Sequence, residues 1–216
     1  MVTQAEEMFD KGVIAYREGA YDQARDICCD LQRLLPDHPG GLGLLGAVEL
    51  RRNDPIAAIA ALSKATSLVP ADLGFLSNLG IAHRMAGNLD AARDCLSRVL
   101  QMHPNHGTAR FNLALVETDC SNLAGALAQY QALLEADPKH VGAWHNRAHI
   151  EASLGRLTEA RKVANWCETH YIKIVPHNPL GPVSAAACAH LDIATDNFAV
   201  QEGGLVGRPV MEDLFP

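Results

Sequence analysis

Three asparagines, Asn78, Asn112 and Asn146, recur at a strict 34-residue interval. A carboxamide donates and accepts hydrogen bonds at once, so a row of them can hold the backbone of an extended peptide whatever its side chains. The competing reading is that each asparagine helps a helix to pack or sits solvated on its face. Three arginines, Arg17, Arg51 and Arg84, add positive charge at nearly the same spacing. Together with the apolar or aromatic Phe9, Tyr16, Ile81, Phe111 and Leu115 they suit a peptide that carries an acidic residue or a C-terminal carboxylate. The plainer alternative is a solvated basic face. His145 and His149 stand four apart, which on a helix puts both imidazoles on one face, as a metal pair requires. A third ligand is not evident, so polar groove residues are the expected reading and neither metal nor cofactor is expected.

The elements that would position these groups are marked by proline. Pro36, Pro70, Pro104 and Pro138 stand 34 residues apart, and the next place in the series is Ile172. A fixed period of this length is the mark of a stacked repeat solenoid. With Ala5 as position 1, position 20 is Ala24, Ala58, Ala92, Ala126 and Ala160, and position 8 is Gly12, Gly46, Gly80, Ala114 and Ala148. Small residues there let two antiparallel helices approach closely. Position 4 (Met8, Leu42, Leu76, Trp144) and position 24 (Cys28, Leu62, Leu96, Tyr130) supply large residues to fill the remaining space, and Arg110 breaks the pattern at position 4 of the fourth repeat. Position 15 (Gly19, Asn53, Gly87, Ser121, Gly155) falls in the turn between the helices, where Gly or Asn can take a positive φ. The proline at position 32 ends the second helix because it cannot continue the hydrogen-bond ladder.

This register resembles a tetratricopeptide repeat array. Residues 5–38, 39–72, 73–106 and 107–140 resemble full repeats, and 141–170 a partial fifth whose first helix and turn run to about 160. The expected fold is mainly α: an α-solenoid of antiparallel helix pairs over residues 1–170. The resemblance implies that positions 2, 5, 6, 9, 12 and 13 of each repeat face a concave groove. Asn78, Asn112, Asn146, Arg51, Arg84 and Phe111 are therefore the candidate peptide-binding residues. Arrays of this family that clamp chaperone C-termini use Lys and Asn at set groove positions. Phe9 and Val13 occupy two of them here, so that clamp is not expected.

Composition agrees with a protein-interaction module. Hydrophobic residues make up 48% of the 216, enough for a substantial core, which a solenoid spreads along its axis. The net charge is −7 with no basic block, so nucleic acid and anionic membrane surfaces are not expected partners. No run approaches the roughly 18 apolar residues of a membrane span, and the acidic N-terminus has no signal-peptide core. Cys28, Cys29, Cys95, Cys120, Cys167 and Cys188 form no C-x-x-C pair, and adjacent Cys28 and Cys29 do not suit a disulfide framework. Reduced cysteines in a cytoplasmic protein are the simple reading. Assembly through an uncapped solenoid end is compatible with all of this.

After Ala160 the chain reads differently. Tyr171–Val175 is β-rich, Pro176–Pro182 is a turn-rich loop, Ser184–Ala194 a small-residue helix with Ser184 as N-cap, and Phe198–Gln201 a second strand. Strand, loop, helix and strand make a small β-α-β-like C-terminal appendage. From Leu157 (LTEARKVANWCE) through PHNPLGP to QEGG, the text resembles the C-terminal part of the enolase superfamily. The likeness is to acid-sugar dehydratases of the mandelate racemase type, acting on mannonate or galactonate. The resemblance implies that His177 and Glu202 stand at the C-terminal ends of successive barrel strands, as catalytic positions. It also implies a Mg²⁺ held by carboxylates on earlier strands, which this chain does not contain. A barrel of about 250 residues cannot be built from this stretch. Residues 171–216 are thus expected to be an enolase-superfamily-like fragment, not an independent domain, and inactive alone. The two texts overlap in LGRLTEARKVA, which points to a fusion or truncation joined within one helix.

Overall fold

The computed structural model of the chain describes residues 2–155. Among them every element is a helix: α1 (Val2–Arg17), α2 (Tyr21–Leu34), α3 (Pro39–Arg51), α4 (Pro55–Leu68), α5 (Leu73–Met85), α6 (Leu89–Met102), α7 (Gly107–Asp119), α8 (Leu123–Ala136) and α9 (Val141–Ser153). The second half of the fifth repeat and the β-α-β appendage expected over 171–216 lie outside the described residues, as do His177 and Glu202. The chain divides into two compact units, Met1–Gln129 and Tyr130–Pro216.

The local signals act as their chemistry dictates. Position 15 has a positive φ in all five turns: Gly19 (78°), Asn53 (61°), Gly87 (79°), Ser121 (60°) and Gly155 (70°). That left-handed residue folds the chain back so that the next backbone N–H reaches the carbonyl five residues earlier. Ala20 bonds Ala15, Asp54 bonds Glu49, Asn88 bonds His83 and Asn122 bonds Glu117, each at 2.8–2.9 Å. The carbonyls left over at the helix end are thereby satisfied.

The starts of α3, α5, α7 and α9 share one device that the sequence reading did not single out. Position 34 of the preceding repeat caps each of them. Asp72 accepts from the Phe75 N–H at 2.8 Å. His38, His106 and His140 accept at Nδ1 from Gly41, Ala109 and Ala143 at 2.8, 3.1 and 3.1 Å. An imidazole can cap in this way only while Nδ1 carries no proton, so the ring hydrogen is on Nε2.

The proline ladder is also a ladder of acceptors. The Pro36 carbonyl accepts from Lys64 Nζ at 2.8 Å and the Pro70 carbonyl from Arg98 at 3.5 Å; both donors occupy position 26 of the following repeat. Position 26 of the fourth repeat is Ala132, which cannot donate. There the donor to Pro104 is Arg110, which also bonds Gln129 at 3.1 Å. The arginine that breaks the apolar pattern at position 4 thus replaces a missing donor.

In the first unit each helix packs on its sequence neighbours, and the odd helices also pack on one another, α1 on α3, α3 on α5 and α5 on α7. These odd helices form a continuous inner row. Small-into-large packing holds each pair. A Cβ on Gly46 would lie 2.3 Å from Leu62 Cγ, and one on Gly80 would lie 2.7 Å from Leu96 Cγ. Between repeats, Val48 packs with Ala15 and Ala24, Leu79 and Ala82 with Ala58 and Leu62, and Leu113 and Val116 with Leu96 and Val99.

Two of the three seams between repeats in this unit carry a buried carboxylate. Glu49, 3% exposed, accepts from Arg25 Nε at 2.7 Å and lies 3.3 Å from Arg52 Nε. Glu117 accepts from Arg93 Nε at 2.9 Å and Asn122 Nδ2 at 2.7 Å. The arginines stand at position 21 and the glutamates at position 11 of the next repeat. The seam between has Ile59 and His83 at those positions, and Ile59 packs on Ala58, Leu62, Leu79 and Ala82. The seams therefore alternate between ion-paired and apolar.

On α1 the side that α3, α5 and α7 turn to a preceding helix is largely charged. It carries exposed Glu7, Lys11 and Glu18. Ile14 there is 54% exposed, whereas its equivalents Val48, Ala82 and Val116 are 0% exposed.

In the second unit, Trp144 Nε1 donates to the Pro138 carbonyl at 2.8 Å, repeating the acceptor role of the prolines. The Arg147 guanidinium lies 5.6 Å over the Trp144 ring and donates to Gln131 Oε1 at 2.6 Å.

Candidate ligand-binding face

The inner row α1–α3–α5–α7 carries the sequence-predicted groove residues of the first unit. Asn78 and Asn112 hold equivalent places on α5 and α7, which pack together. They behave differently. Asn112 is 9% exposed and donates from Nδ2 to the Thr108 carbonyl one turn back, at 2.8 Å. One of its two amide hydrogens is spent on its own helix. Asn78 is half-buried, and its carboxamide makes no side-chain hydrogen bond among the described residues. Asn146, in the second unit, donates to the Tyr130 hydroxyl at 3.1 Å, a helix-to-helix tie. The strict 34-residue interval thus covers three local roles.

Beside Asn78 lies a group the sequence reading missed. Ser77 is 4% exposed, and its Oγ is the buried side-chain polar atom without a partner among the described residues. Four other helical hydroxyls bond a carbonyl one turn back, Thr66 to Leu62, Ser67 to Lys64, Thr118 to Ala114 and Ser153 to Ile150. A buried hydroxyl without a partner costs about 1–3 kcal/mol, so it calls for an explanation. The adjacent α5 residue Phe75 spreads its ring over Gly43 of α3, where a Cβ would come within 2.1 Å of Phe75 Cε1. Phe111 is half-buried on α7.

The arginines are not equivalent either. Arg84 Nε bonds Asp119 Oδ2 of α7 at 2.6 Å, so its charge is already countered. Arg51 Nε meets the Tyr16 hydroxyl of α1 at 3.4 Å, a neutral partner that leaves the charge intact. Arg17 is exposed. Both inter-helix contacts join position 12 of one repeat to position 13 of the next. An opposite charge or phenol at that offset is the sequence signal that reveals them.

Burial holds the His83 imidazole below its ordinary value. Burial alone would raise the Glu117 carboxyl, but hydrogen bonds from Arg93 and Asn122 outweigh it and hold the group below the usual carboxylate range. Burial, with Cys29 alongside, pushes the Cys28 thiol up to about 12. His145 and His149 are half-buried, and no cluster of three or more His, Cys, Asp or Glu side chains fit to hold a metal occurs among the described residues. No helix among them is long and apolar enough to cross a membrane.

The fold defines an array of helix pairs repeated at 34 residues. Residues 49–115 and 121–165 match family models described as Tetratricopeptide repeat. The chain carries tetratricopeptide repeats. Solved structures agree on the fold. The crystal structure of MamA protein superposes with a TM-score of 0.68 at 22% identity, covering 77% of this chain and 91% of that one. PilF of Pseudomonas aeruginosa gives 0.71 at 16% identity over 88% and 83%. YrrB, titled a TPR protein with an unusual peptide-binding site, gives 0.61 at 18% identity over 74% and 82%.

Residues 152–216 match a second model, described as Enolase C-terminal domain-like. A D-galactonate dehydratase from Verminephrobacter eiseniae (strain EF01-2) is 41% identical over 51 residues, 24% of this chain. The chain spans only 13% of that enzyme's length.

Proposed function

We propose that this protein is a binding scaffold that takes a peptide or partner-protein segment against the inner row of its repeat array. The observation that carries the reading is on α5. Asn78 and Ser77 are adjacent and have unfilled hydrogen-bonding capacity. A peptide backbone offers the donors and acceptors they lack. Phe111 and Arg51 would add apolar contact and charge. Asn112 and Asn146 contribute less, because Thr108 and Tyr130 already engage them, and Arg84 less again. Likeness in fold to YrrB, a TPR protein with an unusual peptide-binding site, favours the same reading. The partner is proposed to be protein, not nucleic acid or membrane, and the setting cytoplasmic, with no cofactor. Stacking of copies through the α1 end would bury Glu7, Lys11 and Glu18 along with Ile14, so the scaffold is proposed to work without assembly through that end. Panning a random peptide library against the full chain tests the proposal. Enriched peptides should lose about tenfold in affinity with Asn78→Ala or Phe111→Ala, the scale of one well-made contact. Enriched peptides indifferent to both changes, or no enrichment, would sink it.

A second reading rests on the dehydratase text. Residues 171–216, proposed as a fragment and not an independent domain, would belong to a Mg²⁺-dependent acid-sugar dehydratase completed by another chain, with His177 and Glu202 at its catalytic positions. Turnover of galactonate or mannonate with such a partner, lost on His177→Ala, would support it, and absence of turnover with every partner tried would remove it.

A further inference from the structure

The C-terminal ends of the inner helices carry a charge gradient. Position 13 is Arg17 on α1, Arg51 on α3, Met85 on α5 and Asp119 on α7. These helices pack in that order, and two contacts show that neighbouring positions 12 and 13 face one another, Tyr16 to Arg51 and Arg84 to Asp119. The row therefore runs from basic, through an apolar residue 38% exposed, to acidic.

The charges at this end leave it basic, and exposed Glu6 and Asp10, at groove positions 2 and 6 of α1, stand about 16 and 10 Å back along the helix from Arg17. From α1, Tyr16 meets Arg51 through a neutral hydroxyl, and Tyr21 of α2 lies against Tyr16 with ring centres 5.7 Å apart. Asp22 of α2 is engaged by Arg52, which also lies against buried Glu49. Asp54 caps α4 by accepting from Ala57. Glu18 stands at position 14, on the side of α1 where its equivalent Arg52 turns to a preceding helix, away from the row. At the far end Arg84 and Asp119 neutralise one another.

We infer that the bound segment is acidic and that its carboxylate is received at repeats 1 and 2, by Arg51 and Arg17 beside Tyr16, and not by Arg84. This rests on the scaffold reading above and fixes which way the ligand's charge lies along it. Tyr16 occupies Arg51 Nε and leaves the two terminal nitrogens, which can fork onto a carboxylate. Arg84 has its carboxylate already. An acidic side chain approaching repeats 3 and 4 would meet a pair whose charges already cancel, and would gain little there. The chemistry that fits is thus a peptide with one or two Asp or Glu residues at one end and an apolar stretch that runs over Met85.

The test uses the full chain and a pair of short synthetic peptides of Leu, Ala and Gly. One carries two adjacent glutamates at one end, the other two glutamines. The acidic peptide should bind the tighter, with the advantage shrinking in salt. Arg51→Gln should cost it about tenfold, the scale of one charge-assisted hydrogen bond, and leave the glutamine peptide unchanged. Arg84→Gln should cost less than twofold, by the same reasoning from its existing partner. A nitroxide on the acidic end should broaden amide signals of α1 and α3, not of α7. Equal binding of both peptides would overturn this inference and leave the scaffold reading standing. Greater loss from Arg84→Gln than from Arg51→Gln, or broadening centred on α7, would overturn it too. Failure of both peptides to bind would count against the inference and the scaffold reading together.

Discussion

One substitution made at three equivalent places should give three different results. Gly12, Gly46 and Gly80 all occupy position 8, in the middle of an inner helix. Replacing a helical glycine by alanine gains about 1 kcal/mol of backbone entropy and solvation. Against that stands the space for the methyl group. At Gly46 the new Cβ would lie 2.3, 2.8 and 2.8 Å from Leu62 Cγ, Cδ1 and Cδ2, so the whole Leu62 head must move. Leu62 is fully buried among Ala58, Leu79 and Ala82 and has nowhere easy to go. Overpacking of this kind costs about 1–3 kcal/mol. The expected net effect of Gly46→Ala is a loss of up to about 2 kcal/mol. At Gly80 the nearest atoms are Leu96 Cγ at 2.7 Å and Cδ2 at 3.0 Å, so cost and gain should nearly cancel. At Gly12 the nearest are Leu44 Cδ2 at 3.0 Å, the far end of a flexible side chain, and Ile27 Cγ2 at 3.4 Å, close to ordinary van der Waals contact. Gly12→Ala should be neutral or stabilising by up to about 1 kcal/mol. Thermal unfolding followed by circular dichroism reads the order directly. Each kcal/mol corresponds to about 2–4 °C in a chain of this size, so Gly46→Ala should melt below wild type by up to roughly 8 °C and Gly12→Ala at or above it. If Gly46→Ala melts with or above Gly12→Ala, close approach is not what keeps position 8 small.

Further outcomes follow from single groups. Ser121 holds a positive φ that glycine adopts without strain, so Ser121→Gly should stabilise by up to about 1 kcal/mol in urea unfolding. Glu117 is held below the usual carboxylate range, so its contribution is present above the unfolded value near 4.3 and is lost as pH falls through the folded one. Glu117→Gln should cost about 1–2 kcal/mol at pH 7, the figure reduced because Arg93 is partly solvated, and its deficit against wild type should shrink towards pH 3. His83 is also held low, so the unfolded chain takes up the proton first. Stability from this group is complete above about pH 6.5 and declines below it, and His83→Gln should flatten that part of the urea-midpoint profile. Cys28, raised to about 12 and fully buried, should resist iodoacetamide at pH 8 in the folded protein and react once unfolded, as peptide mass mapping would report.

The repeat register was legible because it is written in local chemistry. Proline stops a helix wherever it stands, and a left-handed turn selects Gly or Asn, so Pro36 to Pro138 and Gly19 to Gly155 announced the helix pairs without any knowledge of neighbours. Ser121 obeys the turn although its residue type does not ask for it, since the surrounding helices over-determine its backbone. What went unread was what is decided across repeats. Arg84 looks like a free groove cation until Asp119 is set 2.6 Å from it. Arg110 looks like an error in an apolar pattern until the Pro104 carbonyl is found within its reach. The His38, His106 and His140 caps were within reach of sequence reasoning, because they recur at one position just before a helix. They escaped because histidine is a rarer cap than Ser, Asp or Asn. The asparagine row misled in the opposite sense. A period fixes where a side chain sits and says nothing of what occupies its hydrogen bonds.

The junction with the dehydratase text can be argued from the same grammar. The two family matches share residues 152–165. Within that shared stretch Gly155 has φ 70° at position 15, and its N–H bonds the Ala152 carbonyl at 3.0 Å. The chain therefore keeps to the repeat's turn geometry inside the region that also matches the enolase C-terminal model. A helix that closes a repeat and a helix on the outside of a barrel need the same thing from sequence, one apolar stripe with a polar back. LTEARKVA supplies it for either. A join placed within such text would leave both patterns intact on either side, and both family matches include it. A reaction is less forgiving than a helix. By resemblance the metal's carboxylates come from barrel strands that precede this text, and 13% of an enzyme's length cannot hold substrate, metal and base in one geometry. The proposed dehydratase reading therefore calls for groups beyond the matched residues, whereas the proposed binding against the inner row draws on the repeats themselves.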